Sequence, residues 1–153
     1  MITYGIHFLF SFISTVAFGI ITNIPKRSLV ATGLTGAIGW MIYWGLRQNA
    51  QGLGFSNFVA AIAIGCLSIF FSRRLKMPMI IFNIPSLVPL VPGGPAYQAI
   101  RELVLGDSTK SFDNLKIVIM TAGAIAAGFM ITSLVETLVF KCNAYIKKTA
   151  HRK

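Results

Sequence analysis

The stretch from Met77 to Ile100 contains five of the chain's six prolines and no charged side chain. A segment this apolar is typical of membrane-embedded protein, yet proline removes a backbone N–H and interrupts a helix. Non-helical backbone at membrane depth is tolerated only where it is buried in protein or borders a wet cavity. In transporters, such interruptions commonly mark the substrate site. The stretch therefore predicts a broken membrane segment and is the first place to look for function.

Composition places the whole chain in the membrane class. Of its 153 residues 55% are hydrophobic and 12% are charged, and its mean hydropathy is +0.72. A soluble domain carries roughly twice that charge, about 25%. The net charge of +10 does not indicate nucleic-acid binding, because the cations form short clusters between apolar runs, as topology determinants do. The basic tail, residues 141–153, is expected to lie along anionic lipid headgroups in the cytoplasm.

The apolar runs predict an all-α integral membrane protein with one domain, residues 1–153, and five transmembrane segments. A helix needs about 20 apolar residues to cross the hydrocarbon core. The fourth predicted span is broken by proline and glycine. The predicted spans cover about 4–24, 29–46, 55–71, 77–92 and 115–140.

The Lys/Arg distribution predicts the orientation of these spans. With the N-terminus outside and the C-terminus cytoplasmic, ten cations lie on the inner side and four on the outer side. If the proline segment instead re-entered on the same side, the counts would be eight and six, so the charges favour a true crossing. An extended Ile84–Pro92 would add about 28 Å at about 3.1 Å per residue, enough with a short preceding helix to cross.

The two ends of the proline segment offer different chemistry. Prolines 85, 89 and 92 release the carbonyls of Ile81, Pro85 and Val88, because proline cannot donate to them. At the other end, Pro95 suits the first turn of a helix and Gly94 its cap. The exposed N–H groups of such a helix start would attract an anionic group of a small exported metabolite to Pro92–Tyr97.

These arguments predict a substrate-binding site on the broken segment. The alternatives left open are a purely structural kink, an interfacial anchoring role for the tyrosine, and a helix–helix hydrogen bond for the asparagine. The predicted substrate-binding residues are Asn83, Pro85, Pro92, Gly93, Gly94 and Tyr97.

Glu136 is the only acidic residue inside a predicted span, and intramembrane carboxylates are functional candidates. Coupling to protons is one interpretation; snorkelling towards the cytoplasmic side, or a structural ion pair near Lys141, is the other. The sequence contains no zinc-protease, phosphate-loop or nucleophile–base motif. We therefore expect no enzyme activity, metal or cofactor.

Two further patterns concern neighbouring helices. Small residues recur along the second span, from Ala31 to Gly39, and along the fifth, from Ala122 to Gly128. Small faces allow close helix packing in lipid. They indicate either packing within this chain or an interface with a second subunit.

The sequence resembles a known family. The residues that carry the resemblance are Asn23-Ile24-Pro25-Lys26-Arg27, the glycine-rich second span, and Ile84-Pro85 through Pro92-Gly93 to Tyr97. Together they are similar to the threonine/serine exporter family, and specifically to its short five-span module. That module occurs as the C-terminal half of fused ten-span exporters or as a separate small subunit, as in a bacterial two-component succinate exporter.

The resemblance implies export of threonine and serine or of dicarboxylates across the bacterial inner membrane. It also implies a second five-span subunit as partner. Two other functions remain open at this point: a non-transporting membrane scaffold or assembly subunit, and a homo-oligomeric channel.

Overall fold

The computed structural model describes the backbone of residues 2–150 and the side chains of residues 3–137. The described part is all-helical. A single 3-10 turn, Lys26–Ser28, precedes the second helix. The six helices are α1 (Ile2–Ile21), α2 (Leu29–Gln48), α3 (Leu53–Leu75), α4 (Ile80–Ser86), α5 (Gly93–Val104) and α6 (Ser108–Ala150).

Four helices in the described residues are long and apolar enough to cross a membrane: α1, α2, α3 and α6. Their positions agree with the first, second, third and fifth predicted spans, with ends that shift by a few residues. The largest shift concerns the last of these, because α6 begins at Ser108 rather than near Leu115. Only residues 105–107 separate α5 from α6, and Asp113 lies inside α6. The predicted basic tail lies outside the residues whose side chains are described.

The helices pack through small side chains. The face of α2 predicted to be a packing surface is turned inward: Gly33 lies against Phe12 and Val16 of α1, and Gly39 lies against Ile64 of α3. This face packs within the chain. All seven of its small residues are buried: Ala31, Thr32, Gly33, Thr35, Gly36, Ala37 and Gly39.

Helices α3 and α6 run in the same direction. Gly54, near the start of α3, lies beside Met120, whereas Gly65, a few turns later, lies beside Thr132. Because both contacts advance together, the chain must return along the bundle between the end of α3 and the start of α6. The returning stretch is residues 76–107, which contains the proline segment.

The returning stretch follows α6 along its length. Asn83 shares a pocket with Glu136, Pro95 shares another with Ile117, and Ser111 Oγ donates a hydrogen bond to the Ala99 carbonyl at 2.7 Å. From Ser111 to Glu136, α6 rises about 37 Å at 1.5 Å per residue. This exceeds the roughly 30 Å hydrocarbon core.

The prediction of an extended Ile84–Pro92 is wrong. Pro85 lies inside α4, and the backbone then forms hydrogen-bonded turns, in which the N–H groups of Leu90 and Val91 both donate to the Leu87 carbonyl. In an apolar setting the chain satisfies its N–H groups locally rather than leaving them free. The returning stretch reaches along α6 because α5 belongs to it.

The apolar core lies at the middle of the bundle. Ala60, Ala61 and Ile64 of α3 pack with Leu90 of the turn and Ile125 of α6. Tyr43, Leu87 and Phe129 cover this cluster. The proline-rich turn is thus held between α3 and α6 by its leucines.

Candidate functional site

The broken segment borders one pocket towards its α4 end. This Glu136 pocket has a volume of about 240 Å³. Its polar side chains are Asn83 of α4 and Ser133 and Glu136 of α6, and its apolar wall is Met79, Leu87 and Phe129. Ser133 and Glu136 face the same pocket because residues three apart lie on one side of a helix.

Asn83 is the residue of this pocket with an unmet hydrogen-bonding need. Its Oδ1 is buried and accepts no hydrogen bond. A buried acceptor without a donor is costly. A donor entering the pocket would satisfy it, whether a hydroxyl, an ammonium group or a protonated carboxyl. The half-buried carboxyl of Glu136 borders the same space. The side chain of Lys141, the alternative partner considered for Glu136, lies outside the described residues.

A second pocket lies at the other end of the turn. This Thr121 pocket has a volume of about 180 Å³. Pro89 and Pro92 form one wall, Asn57 of α3 and Thr121 of α6 supply its polar side chains, and Trp40 is among its aromatic lining.

Packed side chains separate the two pockets. Leu87 borders the Glu136 pocket and Leu90 borders the Thr121 pocket. Both leucines pack on Ile125 and the α3 alanines of the core. The two pockets thus lie on either side of an apolar barrier formed by Leu87 and Leu90.

A sequence profile described as "Threonine/Serine exporter, ThrE" matches residues 7–135. The chain belongs to this family. The matched range covers most of the chain and includes both pockets except for Glu136, which lies one residue beyond it. The exporter family and the apolar helices together identify a multi-pass membrane protein.

One curated relative is a Haemophilus influenzae protein that carries the description "Uncharacterized protein". It is 28% identical over 96 residues, which are 63% of this chain and 32% of that protein. The match thus spans about a third of the relative's length, which is about 300 residues. No solved structure matches the chain significantly.

The structure divides the predicted substrate residues of this exporter-family chain among different environments. Asn83 lines the Glu136 pocket and Pro92 lines the Thr121 pocket. Pro85 is fully buried within α4, so it shapes the backbone. Gly93 borders an apolar cavity of about 490 Å³, and Tyr97 is 68% exposed.

The start of α5 differs from the prediction. Its N-cap is Pro92 rather than Gly94, and Pro95 is the third helical residue. The N–H of Gly93 already donates to the Val91 carbonyl at 2.8 Å, and Pro95 has no N–H. The helix start therefore offers the Gly94 N–H to an anion rather than a full set of donors. A Cβ at Gly94 would meet nothing within 4 Å, so the space there is open.

The predicted release of carbonyls holds at one position and fails at another. The Pro85 carbonyl accepts a hydrogen bond from the Val88 N–H at 3.2 Å. In the described turn, no backbone N–H donates to the carbonyls of Val88, Pro89 or Leu90. The turn thus carries three consecutive acceptors near the Thr121 pocket.

Sequence reasoning missed three polar residues that line these pockets: Asn57, Thr121 and Ser133. All lie within predicted spans, and a polar residue inside a span is itself a signal. Ser133 could have been linked to Glu136 by its spacing of three. Asn57 and Thr121 could not have been linked to the turn without the packing of α3 and α6. No cluster of metal ligands occurs among the described residues.

Proposed function

We propose that this protein exports threonine and serine across the bacterial inner membrane, and that the broken segment forms the substrate path. The observation that carries the proposal is the Glu136 pocket, where the unpartnered amide oxygen of Asn83 and a carboxyl group face one space beside broken backbone. Such a pocket can bind the hydroxyl and ammonium groups of a hydroxy amino acid and can exchange a proton. Glu136 is the proposed proton-coupling group.

We further propose five crossings, with the N-terminus outside and the C-terminus cytoplasmic. The parallel direction of α3 and α6 supports this, because a single returning stretch between two parallel spans must itself cross. The Lys/Arg distribution also supports it, because this topology places ten cations on the inner side and four on the outer side.

A second five-span subunit is the proposed partner. The Haemophilus influenzae relative is about twice as long as this chain, so it has room for a second module of this size. The face of α6 that carries Ala122, Gly123 and Ala126 is exposed, and a Cβ at Gly123 would meet nothing within 4 Å. This face of small residues is available for close packing of a partner helix.

Reconstitution tests the transport function and the partner together. Proteoliposomes containing this chain and the second subunit should move labelled threonine, whereas either chain alone should not. Transport of succinate but not threonine would assign the dicarboxylate alternative. Ion conductance with this chain alone would favour a homo-oligomeric channel, and assembly without transport would favour a scaffold.

The role of Glu136 has its own test. Glu136→Gln should flatten the dependence of threonine efflux on external pH, while Glu102→Gln, which removes a carboxylate from α5, should leave that dependence intact. An unchanged pH profile in the Glu136 variant would remove this residue from the mechanism.

The helix-start hypothesis is tested at Gly93. Gly93→Leu fits the isolated chain, since a Cβ there meets nothing within 4 Å, but it should obstruct the path beside Pro92. Efflux at normal expression should fall severalfold. Wild-type efflux in this variant would show that Pro92–Tyr97 does not contact substrate.

A further inference from the structure

The Thr121 pocket contains a hydroxyl group that differs from those of five other threonines in the described helices. These five donate to a carbonyl three or four residues earlier in the chain: Thr15, Thr32, Thr35, Thr132 and Thr137. This is the usual way for a threonine to satisfy its hydroxyl inside a helix. Thr121 is only 2% exposed, and its Oγ1 has no hydrogen-bond partner. This unpartnered hydroxyl belongs to a residue that lines the pocket.

Oxygen acceptors surround the same space. Asn57 is 2% exposed and uses its Nδ2 to donate to the Leu53 carbonyl at 2.9 Å, which leaves its amide oxygen as an acceptor. Val88, Pro89 and Leu90 have carbonyls that receive no backbone N–H, and the last two of these residues line the pocket. Carbonyls without a donor are costly in a membrane interior, and non-helical backbone is tolerated there only where it is buried in protein or lines a water-filled cavity.

Donors are scarce on the opposite edge. Pro92 and Pro95 border the pocket where α5 begins, and neither has an N–H. The two residues that line the pocket at this edge therefore contribute no N–H donor. None of the side chains that line the pocket, all of which are described, is charged.

Aromatic rings complete the wall. The rings of Trp40 and Tyr43 lie with their centroids 5.2 Å apart, and both residues line the pocket. The face of an aromatic ring attracts a cation, more strongly where water is excluded. The pocket thus offers oxygen acceptors, a hydroxyl and aromatic rings, while Pro92 and Pro95 at its α5 edge have no N–H. Such a site selects positive charge over negative charge.

We propose that the Thr121 pocket binds a small monovalent cationic group, held by Thr121 Oγ1, the Asn57 amide oxygen and the carbonyls of the proline turn. Two sources supply this chemistry: the ammonium group of the exported amino acid and an alkali cation. The choice of an amino acid as one source rests on the proposed function. The pocket lies on the other side of the apolar barrier from Glu136, so it is a second binding site on the proposed substrate path.

Intrinsic fluorescence provides a local probe because the chain contains two tryptophans and one of them lines the pocket. In purified full-length protein carrying Trp44→Phe, Trp40 is the single reporter. Its emission is titrated with L-threonine, with threoninol (which keeps the ammonium group and lacks the carboxylate), with 3-hydroxybutyrate (which lacks the ammonium group), and with sodium, potassium or N-methylglucamine chloride. Calorimetric titration of the same ligands provides a readout that does not depend on the reporter.

Binding of threonine and threoninol but not 3-hydroxybutyrate would assign the ammonium source, and binding of sodium or potassium but not N-methylglucamine would assign the alkali cation. Thr121→Val should weaken that binding about tenfold or more, as expected for a lost hydrogen bond to a charged group. Thr121→Ser should restore it. Thr137→Val, on the same helix and with an exposed hydroxyl, is the matched control and should bind as wild type does.

Three results would overturn the inference: equal binding of 3-hydroxybutyrate and threonine together with no preference for sodium or potassium over N-methylglucamine, wild-type affinity in Thr121→Val, or no binding of any probe by either readout. Threonine efflux by the wild-type exporter together with any of these results would leave the proposed function standing. Absence of efflux in the reconstituted wild type would instead refute the proposed function.

Discussion

Ser86 Oγ donates a hydrogen bond to the backbone carbonyl of Thr32 at 3.1 Å, and both residues are fully buried. The bond joins the last residue of α4 to a helix far away in the sequence. The Thr32 hydroxyl meanwhile donates to the Ser28 carbonyl at 2.8 Å. The Thr32 side chain thus stays on its own helix while its carbonyl anchors the broken segment, just where α4 gives way to the proline turn.

Ser86→Ala should destabilise the protein by about 1 kcal/mol, the usual net contribution of one hydrogen bond. The loss should appear as a lower midpoint of thermal unfolding in detergent. Ser14→Ala is the matched control, because Ser14 Oγ donates within its own helix to the Ser11 carbonyl at 3.0 Å. An equal decrease in both variants would mean that the Ser86 bond does not anchor the segment.

Gly128 and Gly123 should respond oppositely to alanine. A Cβ at Gly128 would lie 2.7 Å from Ala61 Cβ and 2.9 Å from the Phe58 carbonyl oxygen, whereas a Cβ at Gly123 would meet nothing within 4 Å. Gly128→Ala should cost about 1–3 kcal/mol, as overpacking does. Gly123→Ala should be neutral or stabilising, since alanine is the better helix former by up to about 1 kcal/mol.

The same pair separates folding from assembly. Gly128→Ala should lower the free energy of unfolding of the isolated chain. Gly123→Leu should leave that free energy unchanged and should reduce co-purification of the second subunit. Normal co-purification of the Gly123→Leu variant would place the partner on another face.

Ala50 adopts a left-handed backbone conformation, with φ of 55°, in the loop between α2 and α3. This conformation is strained for a residue with a Cβ and relaxed for glycine. Ala50→Gly should therefore stabilise the protein by about 0.5–1 kcal/mol, measurable as a raised thermal midpoint. Gly106→Ala, at φ of 87°, is the reverse control and should lower that midpoint. A lower midpoint for Ala50→Gly would contradict the strain argument.

Asp107 caps the start of α6. Its Oδ1 accepts the Lys110 backbone N–H at 3.1 Å, and its Oδ2 lies 2.7 Å from the Lys110 ammonium nitrogen. The hydrogen bond from the Lys110 side chain, reinforced by the bond from its backbone N–H, lowers the pKa of the Asp107 carboxyl below the ordinary value of 3.8. Since the folded protein holds the ionised form more strongly, this contribution to stability is present above pH 3.8 and is lost as the pH falls through the lowered pKa.

Thermal unfolding measured from neutral to acidic pH tests this contribution. Wild type should lose more stability on acidification than Asp107→Asn, which keeps a capping oxygen without the charge, or Lys110→Met, which removes the ammonium donor. Because the Lys110 side chain is 71% exposed and the Asp107 side chain 35% exposed, solvent screens this ion pair. The difference should therefore be small and should shrink at high salt. Identical acid profiles for the three proteins would exclude the cap as a pH-sensitive element.

The position of the proline break and the small-residue face of α2 could be read from the sequence because each depends on local chemistry. Proline breaks helices through its missing N–H wherever it stands. Glycine and alanine permit close packing against any neighbouring helix. The sequence could not show which pocket each polar residue would line. Asn83 and Glu136 line one pocket, and Thr121, Asn57 and the proline turn line the other. These residues come together because the parallel packing of α3 and α6 brings distant parts of the chain to the same height in the bundle.

The sequence by itself determined the membrane class, four of the long helices, the location of the interrupted segment and the family. These follow from apolar run length, charge placement and residue types that act over a few positions. Tertiary structure decided that Pro85 stays helical, that the turn closes on its own carbonyls instead of extending, and that two polar pockets flank the packed Leu87 and Leu90. Those outcomes depend on which atoms meet across the bundle, and buried backbone groups accept whichever partners the packing brings within reach.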